Sequence, residues 1–246
     1  MSVQQYDKIG EAFEGFKALP LARYAEVPGF LAMVGDVRGK SVLDLASGTG
    51  FYSREFKRRG AGEVLGVDIS TEMVAVARAA EERDPLGVRY EVGDVAELPP
   101  LDRRFDVATA VQLFGYAQDV AAMERMCRAV HRNLVPGAEF HAFVMAPDYR
   151  FDGPPLDKYG FRCEPTGVET EVGPQVRVTA LLDPPIRLVA ACPRREVFEE
   201  CLRAAGFGEP TWVPLEVSDA GLRAFGADFW EDFAANPPLT MFRCRA

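Results

Sequence analysis

Val42-Leu43-Asp44-Leu45-Ala46-Ser47-Gly48-Thr49-Gly50 is the stretch whose reading decides the fold. Val42 to Leu45 is a short apolar run that holds one carboxylate and then breaks into a loop of small residues. A segment with helical character, Phe51–Arg59, follows at once. Glycine and alanine in such a loop let the backbone turn tightly and let a ligand come close to it. A second apolar run, Val64-Leu65-Gly66-Val67, ends on Asp68. A carboxylate just beyond the second strand is placed to accept from both hydroxyls of a ribose. The pattern predicts a nucleoside site on an α/β sheet.

The order of the small residues narrows the nucleoside. A dinucleotide fingerprint reads G-x-G-x-x-G and seats a pyrophosphate on the helix N-terminus. Here the order is Ala46-x-Gly48-x-Gly50, and Phe51 stands where a third glycine would allow close helix–strand packing. Asp44 sits poorly beside a pyrophosphate and suits a cation such as the ammonium of an amino acid. Ribose and an amino-acid cation occur together in S-adenosylmethionine. A nucleotide-dependent dehydrogenase is disfavoured on the same residues.

The motifs continue in order through Val67-Asp68-Ile69-Ser70-Thr71-Glu72-Met73, Gly93-Asp94-Val95, Phe105-Asp106-Val107-Ala108 and Leu134-Val135-Pro136-Gly137. With these, roughly residues 38–145 resemble the class I S-adenosylmethionine-dependent methyltransferases. One departure is Ala46, where the family usually has its first glycine; alanine fits a tight loop unless φ is positive there. The resemblance implies that Asp44 and the loop Ala46, Ser47, Gly48, Thr49 and Gly50 hold the amino-acid end of S-adenosyl-L-methionine. It implies that Asp68 takes the ribose and that Ile69 and Met73 pack on the adenine. In the Gly93-Asp94-Val95 turn, Asp94 would accept from the adenine amino group and the Val95 amide would donate to a ring nitrogen. Gln112 and Leu113, with Phe114, would border the methionine arm, and S-adenosyl-L-homocysteine would be the product. At finer grain the chain looks like the toxoflavin-synthase-like small-molecule methyltransferases. That likeness rests on Tyr6-Asp7-Lys8-Ile9-Gly10, Phe13-Glu14 and Ser41–Arg54, with Ser47 and Ser53 in place of the expected Cys and Thr. It implies N-methylation of a fused nitrogen heterocycle, an azapteridine, in antibiotic biosynthesis.

Bulk composition excludes several classes. The 246 residues suit one α/β domain with a sizeable core. A net charge of −9 opposes nucleic acid and anionic membrane as partners. The five cysteines form no C-x-x-C pair and there are only two histidines, so no metal site is expected. The residues from Met1 to Asp7 are polar, with no secretory signal, and no run is long enough to span a bilayer. The expectation is a cytoplasmic protein with a small-molecule substrate.

Strand–helix alternation predicts a Rossmann-like doubly wound sheet, mostly parallel with an antiparallel last strand. Strands are expected at Ser41–Leu45, Glu63–Asp68, Val88–Val92, Phe105–Val111 and Phe140–Val144. Helices are expected at Phe51–Arg59, Ser70–Arg83 and Val120–Asn133, with a short one near Val95–Leu98. The whole chain, 1–246, reads as one domain. Within it 1–37 is an N-terminal helical lid, 38–145 the cofactor-binding core, 146–192 a β-rich insertion on the substrate side, and 193–246 a closing helix and strands. Tyr6, Ile9, Phe13 and Phe16 fall on one helix face, Pro20 ends that helix, and Tyr6 is the lid residue expected to reach the methionine end. The insertion is rich in Pro and Gly, and short strands are expected at Gly160–Cys163, Gln175–Leu182 and Ile186–Ala191. A helix follows to Ala205, and Thr211–Val217 and Thr240–Cys244 pair at the sheet edge. As one helix, 218–239 would put Phe225, Phe229 and Phe233 on a single face, packed on the body or on a second subunit of a homodimer.

The chemistry is marked less clearly. Methyl transfer from a sulfonium is in-line displacement of an excellent leaving group, so positioning and water exclusion suffice. Weak candidates for a catalytic base are Tyr116, His141 and Tyr149, with a structural role favoured for both histidines. Tyr116, Tyr149, Phe229 and Trp230 are the expected substrate contacts. The rival readings are O- or C-methylation of a phenolic or polyketide product and a non-catalytic cofactor-binding subunit. Asp44, Asp68 and Asp94 together argue against the last.

Overall fold

Apolar runs without polar alternation need cover on both faces, and a parallel sheet flanked by helices supplies it. A computed structural model of the chain describes residues 15–246; Tyr6, Ile9 and Phe13 lie outside them. The first five strands are β1 (Ser41–Leu45), β2 (Glu63–Asp68), β3 (Val88–Val92), β4 (Phe105–Val111) and β5 (Leu134–Met145). Then come β6 (Phe161–Glu169), β7 (Pro174–Ala180) and β8 (Ile186–Ala191), and last β9 (Thr211–Pro214) and β10 (Leu239–Arg245). Seven strands make one sheet in the order β3-β2-β1-β4-β5-β10-β9. β1 to β5 run parallel, and β10 is antiparallel to both β5 and β9. The doubly wound sheet with an antiparallel last strand is the observed architecture. β10 enters between β5 and β9, so β9 is the edge.

Helices α1 (Val27–Val34), α2 (Phe51–Arg58), α3 (Thr71–Arg83), α4 (Val120–Arg132) and α5 (Arg195–Ala205) flank the strands. β5 carries Phe140 into one apolar layer, with Phe114, Phe198 and Phe242. Three residues on, Phe143 enters the other, with Phe30 and Phe56, as the two-residue period of a strand requires.

Several expectations change in detail. Pro20 opens a helix that runs through a π-turn at Ala22–Glu26 into α1; the helix expected before it lies largely outside the described residues, which show only a 3-10 turn over 15–18. Proline is tolerated in a first turn because its missing N–H would be unpaired there. β5 begins at Leu134; its pairing with β4 jumps from Phe105↔Leu134 to Val107↔Glu139, and the slack holds Pro136 and Gly137. β6, β7 and β8 form their own antiparallel sheet. Residues 218–239 are not one helix. α6 (Asp219–Phe225) stops at Gly226, whose φ is +81°, and a 3-10 turn at Asp228–Trp230 leads into α7 (Glu231–Ala235).

Candidate active site

The carboxyl ends of β1, β2 and β4 open onto a cavity of about 490 Å³, within the range of about 300–1,000 Å³ usual for small-ligand sites. The loop after β1 alternates left-handed residues: φ is +53° at Ala46, +54° at Gly48 and +85° at Gly50. Gly50 then caps α2, and a side chain on it would run into the Tyr90 ring. Ala46 therefore takes the conformation in which a Cβ is disfavoured. Ala46, Ser47, Gly48 and Thr49 line the cavity, whereas Gly50 sits behind them.

Asp68 is held by two backbone amides. Gly48 N–H donates to its Oδ2 at 2.7 Å and Ser70 N–H to its Oδ1 at 2.9 Å. The carboxylate faces the cavity. Ser70 caps α3 by accepting from Met73 N–H at 3.2 Å, which puts Met73 and Ile69 on the cavity wall. Ile69 is 42% exposed although apolar. Gly93 N–H donates to the Asp68 carbonyl at 2.9 Å, tying the loops after β2 and β3 together, but Gly93 does not line the cavity. Asp94 and Val95 do, and Asp94 caps the next turn through Ala96 N–H at 2.8 Å. Gln112, at φ +58°, and Leu113 also line it. Phe114 does not; it is buried among Phe140, Phe198 and Phe242.

Asp44 departs from the expectation. It lies beneath the loop rather than on the cavity wall, and it is 2% exposed. The register sets it beside Thr109, whose hydroxyl donates to Oδ1 at 2.8 Å, while Ser53 donates to Oδ2 at 2.5 Å. Burial pushes its carboxyl up to about 6. Its oxygens brace the loop against α2 and β4 and are not aimed at a ligand ammonium.

Of the expected catalytic and substrate residues, Tyr116 lines the cavity. His141 does not: it is fully buried in β5, neither ring nitrogen is hydrogen-bonded, and Nε2 lies 3.6 Å from Glu139. Burial holds its pKa down to about 4, so it is a neutral packing residue. Tyr149 packs edge-on to Phe151, away from the cavity, with its hydroxyl pushed up to about 12 by burial. Phe229 stacks on Phe225 with centroids 4.4 Å apart, and Trp230 stacks on Tyr159 at 5.1 Å. Trp230 Nε1–H donates to the Gly221 carbonyl at 3.1 Å. The break at Gly226 turns these rings onto one another rather than onto the cavity wall.

The insertion does reach the cavity, through its sheet. Cys163, Val178 and Leu188 are neighbours across β6, β7 and β8 and present one apolar face, extended by Phe161 and Ala190. Lys17, Glu26, Phe51 and Tyr52 also line the cavity, and none of them has a ligand role in the sequence reading. Carboxylates outnumber cations on the wall: Glu26, Asp68, Asp94 and Glu97 stand against Lys17 and Arg125. This surplus suits a cationic ligand and opposes a pyrophosphate. Among the described residues no cluster of side chains is fit to hold a metal ion.

Residues 42–137 match the family model for a methyltransferase domain. This segment is thus similar to a methyltransferase domain. The domain is 34% identical over 122 residues to the demethylmenaquinone methyltransferase of Thermus thermophilus, covering 49% of this chain and 51% of that one. It is 36% identical over 96 residues to the ubiquinone biosynthesis O-methyltransferase of Neisseria meningitidis, covering 37% and 40%. The match thus spans about half or less of these relatives. Among solved structures, the fold is similar to a Mesorhizobium loti S-adenosylmethionine-dependent methyltransferase, at 22% identity and TM-score 0.66 over 94% of this chain and all of that one. It is also similar to the CcbJ methyltransferase of Streptomyces caelestis, at 18% identity and TM-score 0.68 over 98% and 97%. The matched segment runs from β1 to the start of β5, and the β6–β8 sheet lies beyond it.

Proposed function

We propose that the chain is an S-adenosylmethionine-dependent methyltransferase acting on a small molecule. The observation that carries this is the Asp68 carboxylate, held by the Gly48 and Ser70 amides and facing a cavity lined by Ile69, Met73 and Asp94. These residues fit a nucleoside: a fixed two-oxygen acceptor for the ribose, an apolar wall for the base, and a carboxylate for its amino group. When bound, S-adenosylmethionine supplies the electrophilic methyl group. The protein's part is to hold donor and acceptor in line and to exclude water. The apolar face of β6–β8, with Met145 and Leu239, does the second.

N-methylation of a nitrogen heterocycle is the reading favoured by the likeness at Ser41–Arg54. O- or C-methylation of a phenolic ring is supported by the named activities of the quinone-pathway relatives. An apolar wall suits a flat ring of either kind. The donor half is tested by calorimetry with S-adenosylhomocysteine. Asp68→Ala should weaken binding by about 1–3 kcal/mol, the cost of losing charged hydrogen bonds. Tight binding of NAD with none of S-adenosylhomocysteine would overturn the proposal. Mass spectrometry after incubation with azapteridines and phenols separates the acceptors, since methyl on phenol oxygen alone excludes the heterocycle.

A further inference from the structure

Two carboxylates on the cavity wall, Glu26 and Glu97, have no part in the donor site described above; Glu97 is exposed and paired with Arg125, whereas Glu26 is nearly buried. Residues 16–26 cross from α2 to the β6–β8 sheet. At one end Phe16 meets Phe161, with ring centroids 5.9 Å apart. Next to it the Lys17 ammonium lies 5.2 Å from the Phe51 ring centre and 4.5 Å from that of Tyr52. Lys17 donates to Glu26 Oε1, and the Tyr52 hydroxyl donates to the same oxygen at 3.0 Å. Among the described residues Oε2 makes no hydrogen bond, although the Glu26 side chain is only 12% exposed and lines the cavity.

We propose that Glu26 Oε2 receives the N–H or O–H of the methyl acceptor and so orients its nucleophile. This rests on the methyl-transfer reading above. Lys17 and Tyr52 fix one oxygen and thereby the plane of the carboxylate, while Lys17 balances its charge. The β6–β8 face offers an acceptor ring only apolar contact: Phe161, Cys163, Val178, Leu188 and Ala190. In a pocket of that kind a few polar groups decide orientation, and a charged acceptor oxygen makes the stronger bond. The carboxylate surplus repels an anionic acceptor, so the substrate class is a neutral flat ring with a hydrogen-bond donor at the methylated position.

The test uses the protein saturated with S-adenosylhomocysteine and matched probes: 1-naphthol against 1-methoxynaphthalene, and indole against 1-methylindole. In the unsubstituted protein the O–H or N–H member should bind about tenfold tighter. Glu26→Gln offers a donor where Oε2 accepts, and should bring each pair within about twofold while leaving S-adenosylhomocysteine affinity within about threefold. Glu26→Asp, which keeps the carboxylate, should retain part of the preference. A preference that survives in Glu26→Gln, or none in the unsubstituted protein, overturns the proposal. A tenfold loss of S-adenosylhomocysteine affinity with the preference intact also overturns it and gives Glu26 to the donor's ammonium. Failure of S-adenosylhomocysteine to bind the unsubstituted protein is a different result, since it removes the methyl-transfer reading itself.

Discussion

Three residues of the loop after β1 take left-handed backbone angles, and one of them, Ala46, is not glycine. A Cβ in that region costs about 1–2 kcal/mol, part of which is offset by the smaller conformational freedom of alanine in the unfolded chain. Ala46→Gly should therefore raise stability by up to about 1 kcal/mol in chemical denaturation. A loss of stability instead would mean that the Ala46 methyl packs more favourably than its backbone is strained. Asp44 makes a second residue-scale prediction. Its carboxyl, pushed up to about 6 by burial, keeps a proton in the folded state that the unfolded chain releases from about pH 4. The folded state binds more protons in that window, so this group's contribution to stability falls as pH rises from about 4 to 6, by at most about 3 kcal/mol. Asp44→Asn should gain on the unsubstituted protein through that window and keep the advantage at pH 7, read by urea denaturation without ligand. A difference that does not vary with pH would show that Asp44 titrates as an exposed carboxylate does.

Between elements, the seating of α2 matters because its first turn follows directly on the cavity-lining loop after β1. Arg54 is 6% exposed and clamps α2 to the end of α3. It donates to Glu81 at 2.5 Å, and to the Asp84 carboxylate and carbonyl at 2.6 and 2.7 Å. Glu81 in turn accepts from the amides of Leu86, Gly87 and Val88 as the chain enters β3. Asp84 is largely exposed and contributes little as an ion pair; the buried Arg54–Glu81 pair decides the outcome. Arg54→Ala leaves Glu81 without its cation and should cost about 3 kcal/mol in thermal or urea unfolding. A loss near zero would mean that the three amides alone satisfy Glu81. The β6–β8 sheet shows a different dependence between elements. Its alternation was readable around Arg177-Val178-Thr179, but which face meets the cavity follows from its packing against Phe16 and Leu239, far away in the chain.

At the scale of the molecule, pH acts in opposite senses on two buried groups of one layer, since Asp44 and His141 are both in register with Thr109 and share a face of the sheet. His141 is buried without a hydrogen bond, and burial holds its pKa near 4. The unfolded chain takes up a proton below about 6.5 that the folded state refuses until about 4. Stability from this group is thus complete above about 6.5 and lost as pH falls toward 4, by about 3 kcal/mol. Asp44 moves the other way over much of that window, so the two offset each other in the unsubstituted protein. His141→Leu removes a ring with two unpaired buried nitrogens. Its advantage over the unsubstituted protein should grow as pH drops from 7 to 4, measured by urea midpoints across pH. A constant difference would mean that His141 is not held neutral. The net charge of −9 also belongs to this scale, and on the cavity wall the same sign appears as four carboxylates against two cations.

The parallel half of the sheet was legible because its causes are local. Ser41–Leu45, Glu63–Asp68, Val88–Val92 and Phe105–Val111 are strands at the boundaries that their apolar runs and flanking turns mark. Ala46 to Thr49, Asp68, Asp94, Gln112 and Leu113 line the cavity because each follows the end of a parallel strand, and those ends share one edge. The amino-acid sequence alone thus determined the fold class and the cavity wall at the strand ends. Residues that meet from distant parts of the chain were not legible. Asp44 looked like a ligand contact until the register put Thr109 beside it. Phe229 and Trp230 looked like a roof until Gly226 turned them onto Phe225 and Tyr159. Lys17 and Glu26 carry no motif, and they meet Tyr52 only when residues 16–26 fold back over α2. Tertiary structure decided the opposite wall of the cavity, because that wall is built from β6, β7, β8 and residues 16–26, which share a surface but no sequence period.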